Sequence, residues 1–97
     1  MNVLITRRAL LDMEEIGDFI AQDNLPRALT FVTELRTFCL GLADRPRGYV
    51  QVEGLLPDLR RAPYGNYSIY YRVLPSEIRV SRILHSARLI AADMFTD

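Results

Sequence analysis

The sequence predicts an α+β domain in which an N-terminal strand is followed by an antiparallel helical hairpin and then a three-stranded antiparallel meander. These elements form a four-stranded sheet with helices on one face and a short C-terminal helix. Two observations carry the prediction. Apolar residues recur at helical spacing through the first half of the chain, and after Pro57 the period changes to two, the spacing of a half-buried strand. A segment from Arg45 to Pro57 holding Pro46, Gly48, Gly54 and Pro57 separates the two regimes and reads as a connection. With 97 residues, 49% of them hydrophobic, the whole chain (1–97) makes one domain, long enough to bury a core without metal or disulfide support.

Asn2 to Thr6 reads as the first strand, with Val3 and Ile5 on one face and Leu4 on the other, and Thr6 offers an N-cap oxygen to the helix that follows. Ala9, Met13, Ile16 and Ile20 recur at helical spacing and Phe19 widens the stripe, which predicts a helix over 8–22. Asp12, Glu14, Glu15 and Asp18 are expected mainly on the opposite, solvent side, where acids in the first turns also suit the helix dipole. Asn24 caps a second helix, and Pro26 fits its first turn because an N–H there has no helical partner to lose. Apolar residues at 28, 31, 32, 35, 38, 39 and 42 keep one face over 26–44. So short a loop makes the two helices antiparallel neighbours. The meander reads as a strand at 59–62, a turn at 63–66, a strong strand at 67–74, a tight turn at Pro75-Ser76, and a strand at 77–84. A last short helix is expected from about Ser86 through Ala87, Ile90, Ala91 and Met94.

All twelve basic residues are arginine, and six of them lie between Arg60 and Arg88, where Glu77 is the only acid. The formal charge of zero hides a division: residues 1–58 carry six arginines against nine acids, residues 59–97 six against three. A planar, permanently charged fork of five donors suits gripping carboxylate or phosphate. The positive half also holds the only histidine, His85, and Tyr64, Tyr67, Tyr70 and Tyr71. Cys39, the one cysteine, has no partner for an internal bridge and reads as a small buried hydrophobe in a reducing compartment. No apolar run approaches the length of a membrane span, and acids from Asp12 onward interrupt any signal peptide. No membrane partner and a cytoplasmic location are therefore expected.

Alternation puts Tyr67, Ile69, Tyr71 and Val73 on one face of their strand, the expected core side, and Ser68, Tyr70, Arg72 and Leu74 on the other. In the last strand strict alternation would place Arg82 with Ile78, Val80 and Leu84 under the helices. Either a bulge shifts the register after Ser81, or Arg82 is a buried arginine held by a carboxylate or carbonyls. A place for Arg82 on a functional surface stays open beside both. Arg60 and Arg61, adjacent in a regular strand, must divide between opposite faces, so one of them and not both should meet a partner.

Four segments then coincide with a known pattern: Ala9-Leu10-Leu11-Asp12-Met13-Glu14-Glu15-Ile16; Asn24-Leu25-Pro26-Arg27-Ala28 opening a helix that runs to Leu42-Ala43-Asp44-Arg45-Pro46-Arg47-Gly48; Leu59-Arg60 with Tyr70-Tyr71-Arg72-Val73; and Arg82-Ile83-Leu84-His85-Ser86-Ala87-Arg88. In this order and spacing, over nearly the whole chain, they resemble a ParE-type toxin of the RelE/ParE superfamily. The resemblance implies the toxin half of a type II toxin–antitoxin module, of the kind that serves plasmid stabilisation, held inactive by a cognate antitoxin. For ParE-type members it implies inhibition of DNA gyrase; the related RelE-type branch cuts mRNA on the ribosome.

Cutting RNA through its own 2′-hydroxyl needs a base, an acid for the leaving oxygen, and a cation for the charged phosphorane. Arginine supplies only the last. In that alternative His85 or Tyr70 would carry protons and Arg82 the charge. In the gyrase-inhibitor reading no catalytic residue is expected, and Arg60, Arg61, Arg72, Arg82, His85 and Arg88 contact the target or the antitoxin. One histidine without a nearby carboxylate cluster makes no ligand set, so neither metal nor cofactor is expected. No direct sequence-specific nucleic-acid binding is expected. A third possibility is a degenerated, non-toxic interaction protein.

Overall fold

In the computed structural model, which describes residues 1–95, strand β1 (Asn2–Ile5) leads directly into helix α1 (Arg7–Ala21). Thr6 makes the corner. Its Oγ1 accepts the Ala9 N–H at 3.2 Å and donates to the Val80 carbonyl at 2.9 Å, so one side chain both caps the helix and ties it to the last strand. α1 buries Ala9, Met13 and Ile16 as the spacing predicts, but Asp12 is buried with them. That corrects its expected place on the solvent side, and the reason is a partner far along the chain, described below. Asn24 Oδ1 accepts the Arg27 N–H at 3.1 Å to start α2 (Leu25–Leu40), which buries Ala28, Leu35 and Cys39. The helices approach closely at Gly17, where an added Cβ would stand 3.0 Å from Val32 Cγ2. Instead of running to residue 44, α2 ends at Leu40 and tightens into a 3-10 turn over Gly41–Asp44, which still buries Leu42.

The sheet holds β2 (Val50–Gln51), β3 (Leu59–Tyr64), β4 (Tyr67–Val73) and β5 (Glu77–His85) with β1, in the order β1-β5-β4-β3-β2. β1 lies parallel to β5 and the other pairs are antiparallel, so the sheet is mixed. Five strands replace the expected four because Val50 and Gln51, inside the connection, pair with Arg61 and Arg60. Two side chains pin that connection down: Tyr71 Oη donates to the Pro46 carbonyl at 2.7 Å and Arg60 Nη1 to the Tyr49 carbonyl at 2.8 Å. β3 runs on through Pro63, where a turn is expected from sequence. The Leu59 carbonyl takes the Val52 N–H, so by alternation Pro63 turns its donorless nitrogen outward too, past the end of β2, and no ladder bond is lost. The turn itself is the pair Gly65-Asn66, with Gly65 at φ 58°.

Each face of the sheet has its own core. Beneath the helices, Ala62, Ile69, Tyr71, Val73, Ile78, Val80 and Ile83 pack on Ala9, Met13, Ile16, Leu35, Cys39 and Leu42. On the far face Leu59, Tyr70 and Leu84 are covered by Val52, Leu55, Leu56, Ile90, Met94 and Phe95. The expected C-terminal helix is not there: after a turn the chain winds only at Ala92–Met94. After β5 the Ala87 N–H is accepted by His85 Nδ1 and the Arg88 N–H by the His85 carbonyl, which closes a single turn. An extended run also carries Ile90, Met94 and Phe95 across the sheet.

Both alternatives left open for Arg82 are realised. Tyr70 opposes Arg82 while Tyr71 opposes Val80, leaving Ser81 as the extra residue of a β-bulge. The bulge keeps Val80 and Ile83 on the helix side and turns Arg82 and Leu84 away. β1 stops opposite Val80. Past that point Arg82 wraps the open flank of β5 and is buried against α1.

Candidate partner-binding surface

Arg82 is 5% exposed and Asp12 3%. Arg82 Nε and Nη2 form a bidentate fork on the two Asp12 carboxylate oxygens at 2.8 and 3.0 Å, and Nη1 donates to the Met94 carbonyl at 3.1 Å. Asp12 Oδ2 also accepts the Ile83 N–H at 3.0 Å. With both carboxylate oxygens and all three guanidinium nitrogens bonded, the cost of burying two charges is offset. The arginine is thus occupied in joining α1, the bulge and the C-terminal segment.

The other sequence-selected residues separate by face. Arg60 points to the helix side, its Nη1 on the Tyr49 carbonyl and its Nε buried without a protein partner. Arg61 is on the far face and exposed, with Nε donating to Ser68 Oγ at 2.9 Å; Ser68 Oγ in turn meets Ser86 Oγ at 2.9 Å. The two arginines do divide between faces, as alternation requires. Arg72, also on the far face, donates from Nε to the Pro57 carbonyl at 3.1 Å. Arg79, which the sequence did not single out, donates to Glu77 at 2.9 Å. Arg88 is exposed in the turn after β5.

His85 closes β5 on the helix side. Its ring stands edge-on to Tyr67, centroids 5.7 Å apart, and its Nδ1 accepts the Ala87 N–H at 3.1 Å. Tyr70 lies on the other face, 96% buried with its ring edge-on to Phe95 at 5.3 Å. The residues considered for a nuclease therefore do not converge: His85 is near the helices, Tyr70 in the far core, and Arg82 on Asp12. Cys39 is no nucleophile either, since burial pushes its thiol up to about 12 against a small opposing pull from Arg36. Burial likewise raises the Tyr71 hydroxyl above the ordinary tyrosine value, with Arg60 pulling it back.

The structure does bring His85 and Arg88 together. They line an open hollow of about 260 Å³ with Glu15, Ile16, Phe19 and Tyr67, between α1 and the end of β5. Sequence reasoning counted Phe19 as widening the core stripe, yet it is 65% exposed. It and Glu15 are the members that sequence reasoning missed; the available signal was Phe19's position at the margin of the apolar arc, beside the acids. An exposed aromatic between a carboxylate, an imidazole and a guanidinium suits contact with a mixed apolar and charged protein segment.

Comparison with known proteins agrees with this architecture. A family model described as the ParE toxin of the type II toxin–antitoxin system parDE matches residues 3–90. Among solved structures, a chain of the chromosomal ParDE toxin–antitoxin system of P. aeruginosa superposes with a TM-score of 0.76 at 24% identity, covering 88% of this chain and 95% of that one. A chain of the toxin–antitoxin complex RelBE2 of Mycobacterium tuberculosis superposes with a TM-score of 0.66 at 22% identity, covering 87% and 95%. A search of curated protein sequences finds no match. The family match runs from within β1 to just past the turn after β5, leaving out only the last segment over the far face, and the chain belongs to the ParE family of type II toxins.

Proposed function

We propose that this toxin acts by binding rather than by catalysis, that its target is DNA gyrase, and that a cognate antitoxin neutralises it. The observation that carries the binding mode is the dispersal of the proton-transfer candidates: His85 and Tyr70 stand on opposite faces, and Arg82 is engaged by Asp12. Gyrase as the target follows from the family resemblance. Arg61, Arg72, His85 and Arg88 are the contact residues, with Arg60 acting through the Tyr49 connection and Arg82 through the Asp12 clamp. An exposed arginine that makes a desolvated, bidentate contact contributes about 2–5 kcal/mol when it is truncated, whereas one at the rim changes mostly on-rate and salt dependence.

The antitoxin partner is supported by the two similar structures, both from toxin–antitoxin systems. An extended, partly helical antitoxin segment would cover the hollow at Phe19 and residues 84–94, giving up ordering entropy in return for a large contact. On adding antitoxin, hydrogen exchange should slow at residues 84–94 and at the sheet edge; protection confined to 45–57 contradicts this placement.

The test of mechanism is induced expression, with and without the neighbouring antitoxin gene, read by plasmid supercoiling and transcript cleavage. His85→Gln should fold and keep most of the growth arrest, with supercoiling impaired and no 2′,3′-cyclic phosphate ends in cellular mRNA. Loss of toxicity in that variant at an unchanged melting temperature, with such RNA ends in the wild type, rejects the reading in favour of a ribosome-dependent nuclease. No growth effect of the wild type in either assay indicates a degenerated toxin.

A further inference from the structure

Ser68 carries a hydroxyl yet is fully enclosed. It stands between two exposed residues, Arg61 on β3 and Ser86 just past β5. Arg61 Nε donates to Ser68 Oγ at 2.9 Å, and Ser68 Oγ meets Ser86 Oγ at the same distance. Ser86 is itself held in place, because its N–H donates to the Asn66 carbonyl at 2.9 Å.

Counting protons fixes the direction of this relay. The Arg61 Nε–H can only donate, so Ser68 Oγ is its acceptor. The Ser68 proton then has one acceptor among the described residues, Ser86 Oγ, and the opposite assignment would leave a buried O–H unbonded. Ser86 therefore accepts from Ser68 and keeps its own O–H for a partner outside. A guanidinium at the head of the chain polarises each hydroxyl after it, which makes Ser86 a stronger donor and a poorer nucleophile. Anchoring Nε also presents Nη1 and Nη2 of Arg61, which bond to nothing among the described residues, in one orientation.

We propose that Arg61 and Ser86, positioned by Ser68, form a carboxylate-binding site that receives an Asp or Glu side chain of the antitoxin. No acid of the described residues pairs with Arg61. Glu77, the one acid between Arg60 and Arg88, is taken by Arg79. Arg61 Nε and Ser86 Oγ bond to one oxygen, so they stand no further apart than twice 2.9 Å, a span that the two oxygens of a single carboxylate can bridge. One anchored guanidinium matches the single charge and planar fork of a carboxylate, whereas a phosphate dianion calls for more than one cation. Arg72, also on this face, is turned to the Pro57 carbonyl. The occupant follows from position, since Ser86 lies within residues 84–94, where the antitoxin segment is placed; the assignment rests on that reading.

Two measurements on the full chain keep the site and that reading apart. In the free, isotope-labelled protein, sodium acetate replacing sodium chloride at constant ionic strength should shift the NMR signals of the Arg61 Nε–H and the Ser86 amide. The shifts should saturate, while the Nε–H of Arg79, already on Glu77, stays in place. Ser68→Ala, which removes the relay but neither contact group, should weaken that response several-fold. In the second measurement, binding of the antitoxin from the neighbouring gene should weaken roughly thirtyfold or more in Arg61→Gln and roughly tenfold in Ser86→Ala, at unchanged melting temperatures. The double variant should lose little beyond Arg61→Gln, because both groups hold one carboxylate. Ser86→Thr keeps the hydroxyl and should keep most of the affinity. The site is overturned if acetate moves every arginine alike, or if a short RNA moves the Arg61 and Ser86 signals where acetate does not. Its assignment to the antitoxin is overturned if these variants bind antitoxin as the wild type does, even with toxicity lost, because the acid then belongs to the target. If the wild type itself binds no antitoxin, the antitoxin reading fails with the assignment, and the acetate response still decides whether the carboxylate site exists.

Discussion

The two faces of one sheet are closed by different means. On the near face two capped helices, whose backbone bonds are internal, lay a continuous apolar stripe over Ile69, Tyr71 and Val80. On the far face a chain with one short 3-10 turn lies over Leu59, Tyr70 and Leu84. Its order is borrowed: Arg82 holds the Met94 carbonyl, and Phe95 rests on Tyr70. A self-supporting element resists opening, whereas a segment with few bonds of its own can detach locally. The far face is thus the adaptable one, and it carries Arg61 and Arg72.

The largest effect is expected where the faces are joined. Asp12→Ala leaves Arg82 buried without its counter-charge and should cost about 3–5 kcal/mol in chemical denaturation. Hydrogen exchange should rise both in α1 and around Met94. A loss confined to one side would show that the faces are independent.

Leu35, fully buried in the middle of α2, tests the near face alone. Leu35→Ala should cost about 2–5 kcal/mol, and toxicity should fall together with the melting temperature because folding is what is lost. Wild-type stability in this variant would reassign Leu35 to a contact surface.

Phe95→Ala tests the far face. A fully enclosed phenylalanine costs about 3–5 kcal/mol to truncate, but the last turn can settle onto Tyr70, so about 1–2 kcal/mol is expected. A cost equal to that of Leu35→Ala would remove the distinction drawn between the faces.

The last effect is absent at neutral pH and appears only in alkali. Cys39 titrates near 9.0 in the ordinary state and at about 12 when buried. The unfolded chain therefore loses this proton first as pH rises. The contribution is complete below pH 9 and disappears between 9 and 12, on the order of 1 kcal/mol per pH unit. Tyr71, also raised by burial, adds to the same trend above pH 10. Cys39→Ala should flatten the first part of the slope in urea titrations. Cys39 on α2 and Tyr71 on β4 both belong to the near-face core, so that face should loosen first.

By itself the sequence determined the class of fold, both helix starts, the meander and the side of β4 that faces the core. These follow from local rules: an oxygen at Thr6 or Asn24 meets an N–H three residues on, and side chains alternate every residue in a strand. It also separated Arg60 from Arg61 and reduced Arg82 to a short set of options. Tertiary structure decided the rest. Asp12 reads as a solvent-facing acid by period, yet its partner lies 70 residues away. The bulge at Ser81, the pairing of Val50–Gln51, the exposure of Phe19 and the extended path to Phe95 depend likewise on which segments become neighbours. Periodicity records the faces of an element, while pairing a buried charge or covering a second face is a property of chain segments that meet only in the folded molecule.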